Sequence, residues 1–170
     1  QPMAALEAIF TLPQPDNQIW YTTTDGQQIT SFGEFDAKIQ KQEWVNNRWV
    51  ITFDKTVTEV GYEAFDRKST LMSISLPNSV TSIGDSAFYE CSNLESITMS
   101  NRLESIGELA FSDCIKLKEI TLPSSIKSLA AGAFMNCDSL TSITFPEGTQ
   151  SIGNLAFGLC DKLVSIYTLA

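Results

Sequence analysis

The 170-residue sequence has no histidine, which removes the commonest general base and with it the Ser-His and Cys-His pairs that activate nucleophiles. Cations are scarce: 11 Lys and Arg stand against 20 Asp and Glu, a net charge of −9. That balance disfavours a polyanionic partner, so no nucleic acid is expected to bind. No apolar run approaches the roughly 18 residues needed to cross a bilayer. No charged-then-apolar leader opens the chain, which begins at Gln1, so neither a signal peptide nor direct membrane insertion is expected within it. The nine glycines are scattered instead of gathered into a phosphate-cradling loop, and there is no Asn-x-Ser/Thr sequon. Enzymatic activity and cofactors are therefore not expected.

What the sequence does have is a period of 23 residues. Phe65, Phe88, Phe111, Phe134 and Phe157 fall in one column, each preceded by Ala. Cys91, Cys114, Cys137 and Cys160 form a second, and Leu71, Leu94, Leu117, Leu140 and Leu163 a third. Ile74, Ile97, Ile120, Ile143 and Ile166 form a fourth. A recurrence of this length marks a solenoid, in which one turn cannot bury its own apolar face and neighbouring turns must share the burial. Within a turn, Ile97 and Met99 alternate with Ser96 and Thr98, the period of a strand, whereas Ala87, Cys91 and Leu94 follow the period of a helical turn. Each turn thus reads as strand, corner, short second strand and helical turn. Pro77, Pro123 and Pro146 mark the corner, where a missing N–H ends the ladder. Gly61, Gly84, Gly107 and Gly153 follow the second strand, offering a positive φ or a close approach; Ala130 breaks that column, and a positive φ is less expected in that turn.

Upstream, residues 1–17 read as an arm or linker, with Pro13 and Pro15 after a short apolar stretch. Residues 18–55 hold two hairpin signals: IWYTT and QQIT around Asp25-Gly26, and Ala37 to Trp44 and Arg48 to Asp54 around Val45-Asn46-Asn47. They contain Trp20, Trp44 and Trp49, large side chains suited to covering the open end of an array. This segment is expected to be a β-hairpin cap continuous with the repeats of residues 56–170. Ile51 and Phe53 lie one period before Ile74 and Leu76, which places the last cap strand in the first strand position of the main sheet. An aromatic sugar-binding platform of Trp20, Tyr21, Trp44 and Trp49 is the alternative use. The far end, which stops just past a strand, is expected to be covered by further chain or by a partner.

The four cysteines, even in number, admit disulfides between adjacent turns. They also sit on the inward stripe with Ala and Leu, where free Cys behaves as a small apolar residue. Four thiols in a line do not form the tetrahedron zinc prefers, and no metal is expected.

The pattern L-x-x-I-x-[LMF]-P-x-x-[VLI]-x-x-I-G-x-x-A-F-x-x-C, running from about Val57 to Tyr167, resembles the BspA-like leucine-rich repeats of bacterial surface proteins. The resemblance implies a right-handed leucine-rich-repeat solenoid of about four and a half turns, mainly β with short helical turns, with one parallel main sheet. It also implies a cell-surface or secreted interaction module, a monomer, associated with adhesion to extracellular proteins such as fibronectin or fibrinogen. The outward face of the main strands is the candidate contact surface. It comprises Ser73, Ser75, Ser96, Thr98, Glu119, Thr121, Ser142, Thr144 and Tyr167, a hydroxyl-rich ribbon whose small side chains lose little rotamer freedom on binding. A spacer with no ligand of its own is the remaining reading.

Overall fold

The structure, a computed structural model, describes residues 13–168. The expected N-terminal arm therefore lies outside the described residues except for residues 13–17. Three strands open the chain: β1 (Gln18–Thr23), β2 (Ile39–Val45) and β3 (Arg48–Phe53). Short and long strands then alternate: β4 (Glu59–Val60), β5 (Leu71–Ser75), β6 (Ser82–Ile83), β7 (Ser96–Thr98), β8 (Ser105–Ile106), β9 (Glu119–Thr121), β10 (Ser128–Leu129), β11 (Ser142–Phe145), β12 (Ser151–Ile152) and β13 (Ser165–Thr168).

The 23-residue period becomes strand register. Ser73 pairs with Ser96, Ile83 with Ile106 and Ser142 with Ser165, all in parallel ladders. The short strands form one unbroken sheet, β12-β10-β8-β6-β4. Between the two strand columns lies the core, in which the Ala, Phe, Cys and Leu columns are fully buried through the middle turns. The phenylalanine rings stack face to face from Phe65 to Phe157, with centroids 5.2, 4.9, 5.1 and 5.5 Å apart. These spacings track the roughly 4.8 Å rise between neighbouring strands.

The segment after each short strand differs from expectation, for there is no helix among the described residues. Its amide groups alternate in direction. Ala87 and Tyr89 donate to carbonyls three residues back, while Ser86, Phe88 and Glu90 donate to Glu108, Ala110 and Ser112 of the next turn. Alternation of this kind requires two left-handed residues per turn, and they recur in register: Glu63, Ser86, Leu109, Gly132 and Leu155, then Arg67, Glu90, Asp113, Asn136 and Leu159, with φ between 52° and 63°. A helix would turn every amide back on its own segment and leave the turns unconnected on this side. The recurring glycine column is not where φ is positive. Gly84 and Gly107 serve close approach instead, since a Cβ there would lie 2.8 and 2.6 Å from a backbone carbon of the preceding turn. The turn with Ala130 takes its positive φ at Gly132, the same column as every other turn.

The N-terminal segment also departs from expectation. β2 and β3 form the hairpin around Asn46-Asn47, both with positive φ, as a two-residue primed turn requires. β3, however, does not neighbour β5. β1 lies between them, antiparallel to both, giving the order β2-β3-β1-β5-β7. Nor does QQIT pair with β1. The Ile29 N–H donates to the Tyr21 Oη (2.9 Å) and its carbonyl accepts from Gln42 Nε2 (3.0 Å), so residues 27–30 fold over the buried Tyr21. Residues 33–35 run antiparallel to the edge of the second sheet through a Phe35–Val60 bridge, and Phe32 and Phe35 set their edges against Phe65 at the end of the ring stack.

The main sheet is not one ladder. β5 and β7 belong to the sheet that contains the N-terminal strands, whereas β9, β11 and β13 form a separate three-stranded sheet. A seam therefore opens between β7 and β9, while the second sheet and the ring stack stay closed at the same level.

Candidate functional site

Alternation fixes which side chains leave the core. In β5, Leu71 and Ile74 are buried and Ser73 and Ser75 face outward; Ser96 and Thr98, Glu119 and Thr121, and Ser142 and Thr144 follow in register. Ser165 and Tyr167 extend the series on β13. The nine ribbon residues thus lie on one face, divided by the seam into Ser73, Ser75, Ser96 and Thr98 on one side and Glu119, Thr121, Ser142, Thr144 and Tyr167 on the other.

The face does not stop at β5. β1 pairs with it so that Thr22 faces Ser73 and Trp20 faces Ser75. Beyond β1, Val50 lies opposite Trp20 on β3, with Arg48 on the same side of that strand. Two ribbon hydroxyls are already engaged there. Ser73 Oγ hydrogen-bonds to Thr22 Oγ1, and Ser75 Oγ donates to Gln14 Oε1 (2.7 Å), whose Nε2 donates to the Ser75 carbonyl (2.8 Å). At the junction is a groove of about 230 Å³ lined by Trp20, Thr22, Arg48, Ser73, Ser75, Ser96 and Thr98 among others. The Arg48 guanidinium lies over the Trp20 ring, its Cζ 3.5 Å from the centroid. Its Nε is buried and has no hydrogen-bond partner among the described residues. Burial lowers the Arg48 pKa from its ordinary value, the mark of a cation deprived of part of its hydration.

The aromatic residues of the N-terminal segment do not form a single platform. Tyr21 is 1% exposed. Trp44 pairs across the hairpin with Trp49, and their rings meet edge to face at 5.5 Å. Trp49 lies opposite Tyr21, on the core side of the strands, and its Nε1 donates to the Gly26 carbonyl (3.1 Å). Trp20 alone projects on the ribbon face. Reading the residues in order gave no hint of Arg48, because its place beside Trp20 depends on β1 inserting next to β3.

The cysteines are free thiols. Cys91, Cys114, Cys137 and Cys160 donate to the carbonyls of Phe65, Phe88, Phe111 and Phe134 at 3.0–3.2 Å, each reaching to the preceding turn. Burial pushes the Cys91 thiol up to about 12 and Cys114 well above its usual range. No cluster of potential metal ligands occurs among the described residues.

The BspA type leucine rich repeat region matches residues 45–168 in six copies. The chain belongs to this repeat family. Among solved structures, this BspA-type array is similar to the T. pallidum leucine rich repeat protein, at 34% identity and a TM-score of 0.66 over 66% of this chain and 53% of that one. It is similar to a leucine rich cell surface protein from Faecalibacterium prausnitzii, at 34% identity and TM-score 0.65 over 68% of this chain and 31% of that one. A leucine-rich repeat protein from Bacteroides ovatus matches at 35% identity and TM-score 0.64 over 76% of this chain and 32% of that one. The chain thus spans about half or less of the length of these structures. No curated protein matches it.

Proposed function

We propose that the chain is a non-enzymatic interaction module displayed outside the cell, which binds an extracellular protein through the outward face of β1, β5, β7, β9 and β11. The observation that carries this reading is the continuity of that face from β1 through β7, with the same strip resuming beyond the seam on β9 and β11. A hydroxyl-rich strip of short side chains on β5 and β7 passes without a fold boundary into a groove containing an indole and a guanidinium that forms no ion pair among the described residues. Repeat arrays present such surfaces to extended partners, and short hydroxyl side chains bind with little loss of rotamer entropy. One solved relative is described as a cell surface protein, which supports an extracytoplasmic setting. Matrix proteins such as fibronectin and fibrinogen are the partners that the family resemblance suggests. The weak affinity expected of each turn is compensated when several turns engage at once.

The test is surface-plasmon binding of the chain to immobilised fibronectin, fibrinogen and albumin at physiological salt, alongside a Thr98→Lys/Thr121→Lys/Thr144→Lys variant. Saturable binding to a matrix protein, absent for albumin and lost in a variant with unchanged circular dichroism, is the expected result. Equal binding by the variant would remove the face from the function.

A further inference from the structure

We propose that the junction groove is an anchor subsite for a carboxylate, with Arg48 gripping an Asp or Glu side chain of an extended protein segment that continues along β5 and β7. The inference rests on the protein-binding reading above and names the chemistry that the face selects.

Three observations carry it. First, Arg48 is the one cation among the residues lining this groove, and no acidic residue lines it. None of the ion pairs among the described residues involves Arg48; those formed are Lys41–Glu43, Arg67–Asp66, Arg67–Glu90 and Lys127–Glu104. Acids outnumber cations 20 to 11 in this chain, and Glu43 lines the adjoining hollow on the hairpin side of Arg48, yet Glu43 pairs with Lys41 and no ion pair to Arg48 is formed among the described residues. Second, the side chain is fixed. Stacking on Trp20 holds the guanidinium plane, and a planar fork held in place meets a carboxylate bidentately with little further loss of entropy. Third, the stack covers one face of Trp20, and Trp44 and Trp49 lie on the other side of the sheet. No row of open indole faces therefore lies along the groove, and an array of that kind is what a glycan chain stacks on, which favours a peptide. Beyond the anchor, Ser96 and Thr98 are exposed and supply donors and acceptors for a main chain running over the strands.

The experiment uses phage display of linear decapeptides selected on the intact chain. Synthetic versions of the selected peptides are then titrated against ¹⁵N-labelled wild type, Arg48→Gln, Arg48→Lys and Thr98→Lys, each variant first checked by circular dichroism and thermal melting. Enrichment in Asp or Glu, shifts at the Trp20 indole N–H and Thr98 amide, and an affinity loss of about tenfold or more in Arg48→Gln are expected. Replacing the peptide's acidic residue by its amide should have the same effect, and Arg48→Lys should recover affinity only in part. Peptides that lose binding in Thr98→Lys but not in Arg48→Gln would overturn the carboxylate anchor and leave the face standing. Peptides indifferent to both variants would overturn the anchor and the face together. Binding of a uronate oligosaccharide with the same Arg48 dependence, with no peptide selected, would overturn the assignment to a protein segment.

Discussion

Each thiol of the cysteine column is held by a carbonyl one turn away and surrounded by Phe, Ala and Leu. Cys91, Cys114 and Cys137 are buried, and only Cys160 is partly exposed. A thiol is reactive as thiolate, and burial holds Cys91 and Cys114 in the neutral form across the physiological range. In the native protein, a thiol reagent such as DTNB should therefore modify Cys160 alone, with the other three reacting only after denaturant is added; rapid release of more than one equivalent would show that the column opens. Asp36 works by a different route. Its carboxylate accepts from the Thr58 amide (3.0 Å), the Thr58 hydroxyl (2.6 Å) and the Glu59 amide (3.1 Å), fastening the incoming segment to β4. Burial raises its pKa, but these hydrogen bonds, with Lys55 nearby, hold it below 3.8. A depressed carboxylate pKa stabilises the fold at pH above the unfolded value, and the contribution disappears as pH falls through the folded one. Asp36→Asn should cost up to about 1 kcal/mol near neutrality. It should also flatten the loss of stability below pH 3.8, as measured by urea midpoints at pH 7, 4 and 3.

At the scale of the element, the turn that follows each short strand is the unit that the array repeats, and its two left-handed residues are what let it hydrogen-bond forward. One column contains Glu63, Ser86, Leu109, Gly132 and Leu155, so four of its five positions hold residues for which a positive φ is costly. Ser86→Gly should raise stability by about 0.5–1 kcal/mol by relieving that strain, net of the entropy glycine adds to the unfolded chain. Gly132→Ala should lower it by a similar amount, with the added methyl 2.7 Å from Leu109 Cδ2. Thermal melts of both variants check the pair, and a destabilised Ser86→Gly would contradict this account. Much of the fold was legible from the columns: the Phe, Cys and Ile positions fix which residues are inside, and a shift of 23 gives every parallel register. The left-handed columns were not, because Glu, Ser, Leu, Arg and Asp leave no compositional trace of a φ imposed by the neighbouring turn. The spacing of Ala87, Cys91 and Leu94 imitates a helix because a tight turn with alternating amides also returns to one side after four residues. The position of β1 was illegible for another reason: pairing with β3 and β5 is a long-range choice, and the hairpin signal at Asp25-Gly26 points only to the turn. The ribbon followed from alternation, whereas the groove that completes the site depends on β1 and so could not be read locally.

For the molecule as a whole, stability in a stacked array is a sum over neighbours, so a turn covered on both sides should be firmer than one covered on a single side. Burial already grades this way. Ile83, Ile106 and Leu129 are 1–2% exposed, but Ile152 in the same column is 49% exposed; Ile143 is 1% exposed and Ile166 58%. Near the other end, Phe65 meets Phe88 on one side and the edges of Phe32 and Phe35 on the other, so that turn is enclosed. Phe111→Ala removes a ring stacked on both faces and should cost about 3–5 kcal/mol, while Phe157→Ala, at a half-buried position, should cost distinctly less. Native-state hydrogen exchange should show the same gradient, with protection highest in β6, β8 and their turns and falling towards β12 and β13. The seam adds a local exception: amides of β9 that face β7 should exchange faster than those that face β11, since the first lack a ladder and the second have one. Uniform protection across β7 and β9 would mean that the main sheet is closed in solution and that its outward face is one strip. Fast exchange confined to the seam would divide the face into two rigid panels, the one beside Arg48 and Trp20 able to take a ligand independently of the panel formed by β9, β11 and β13.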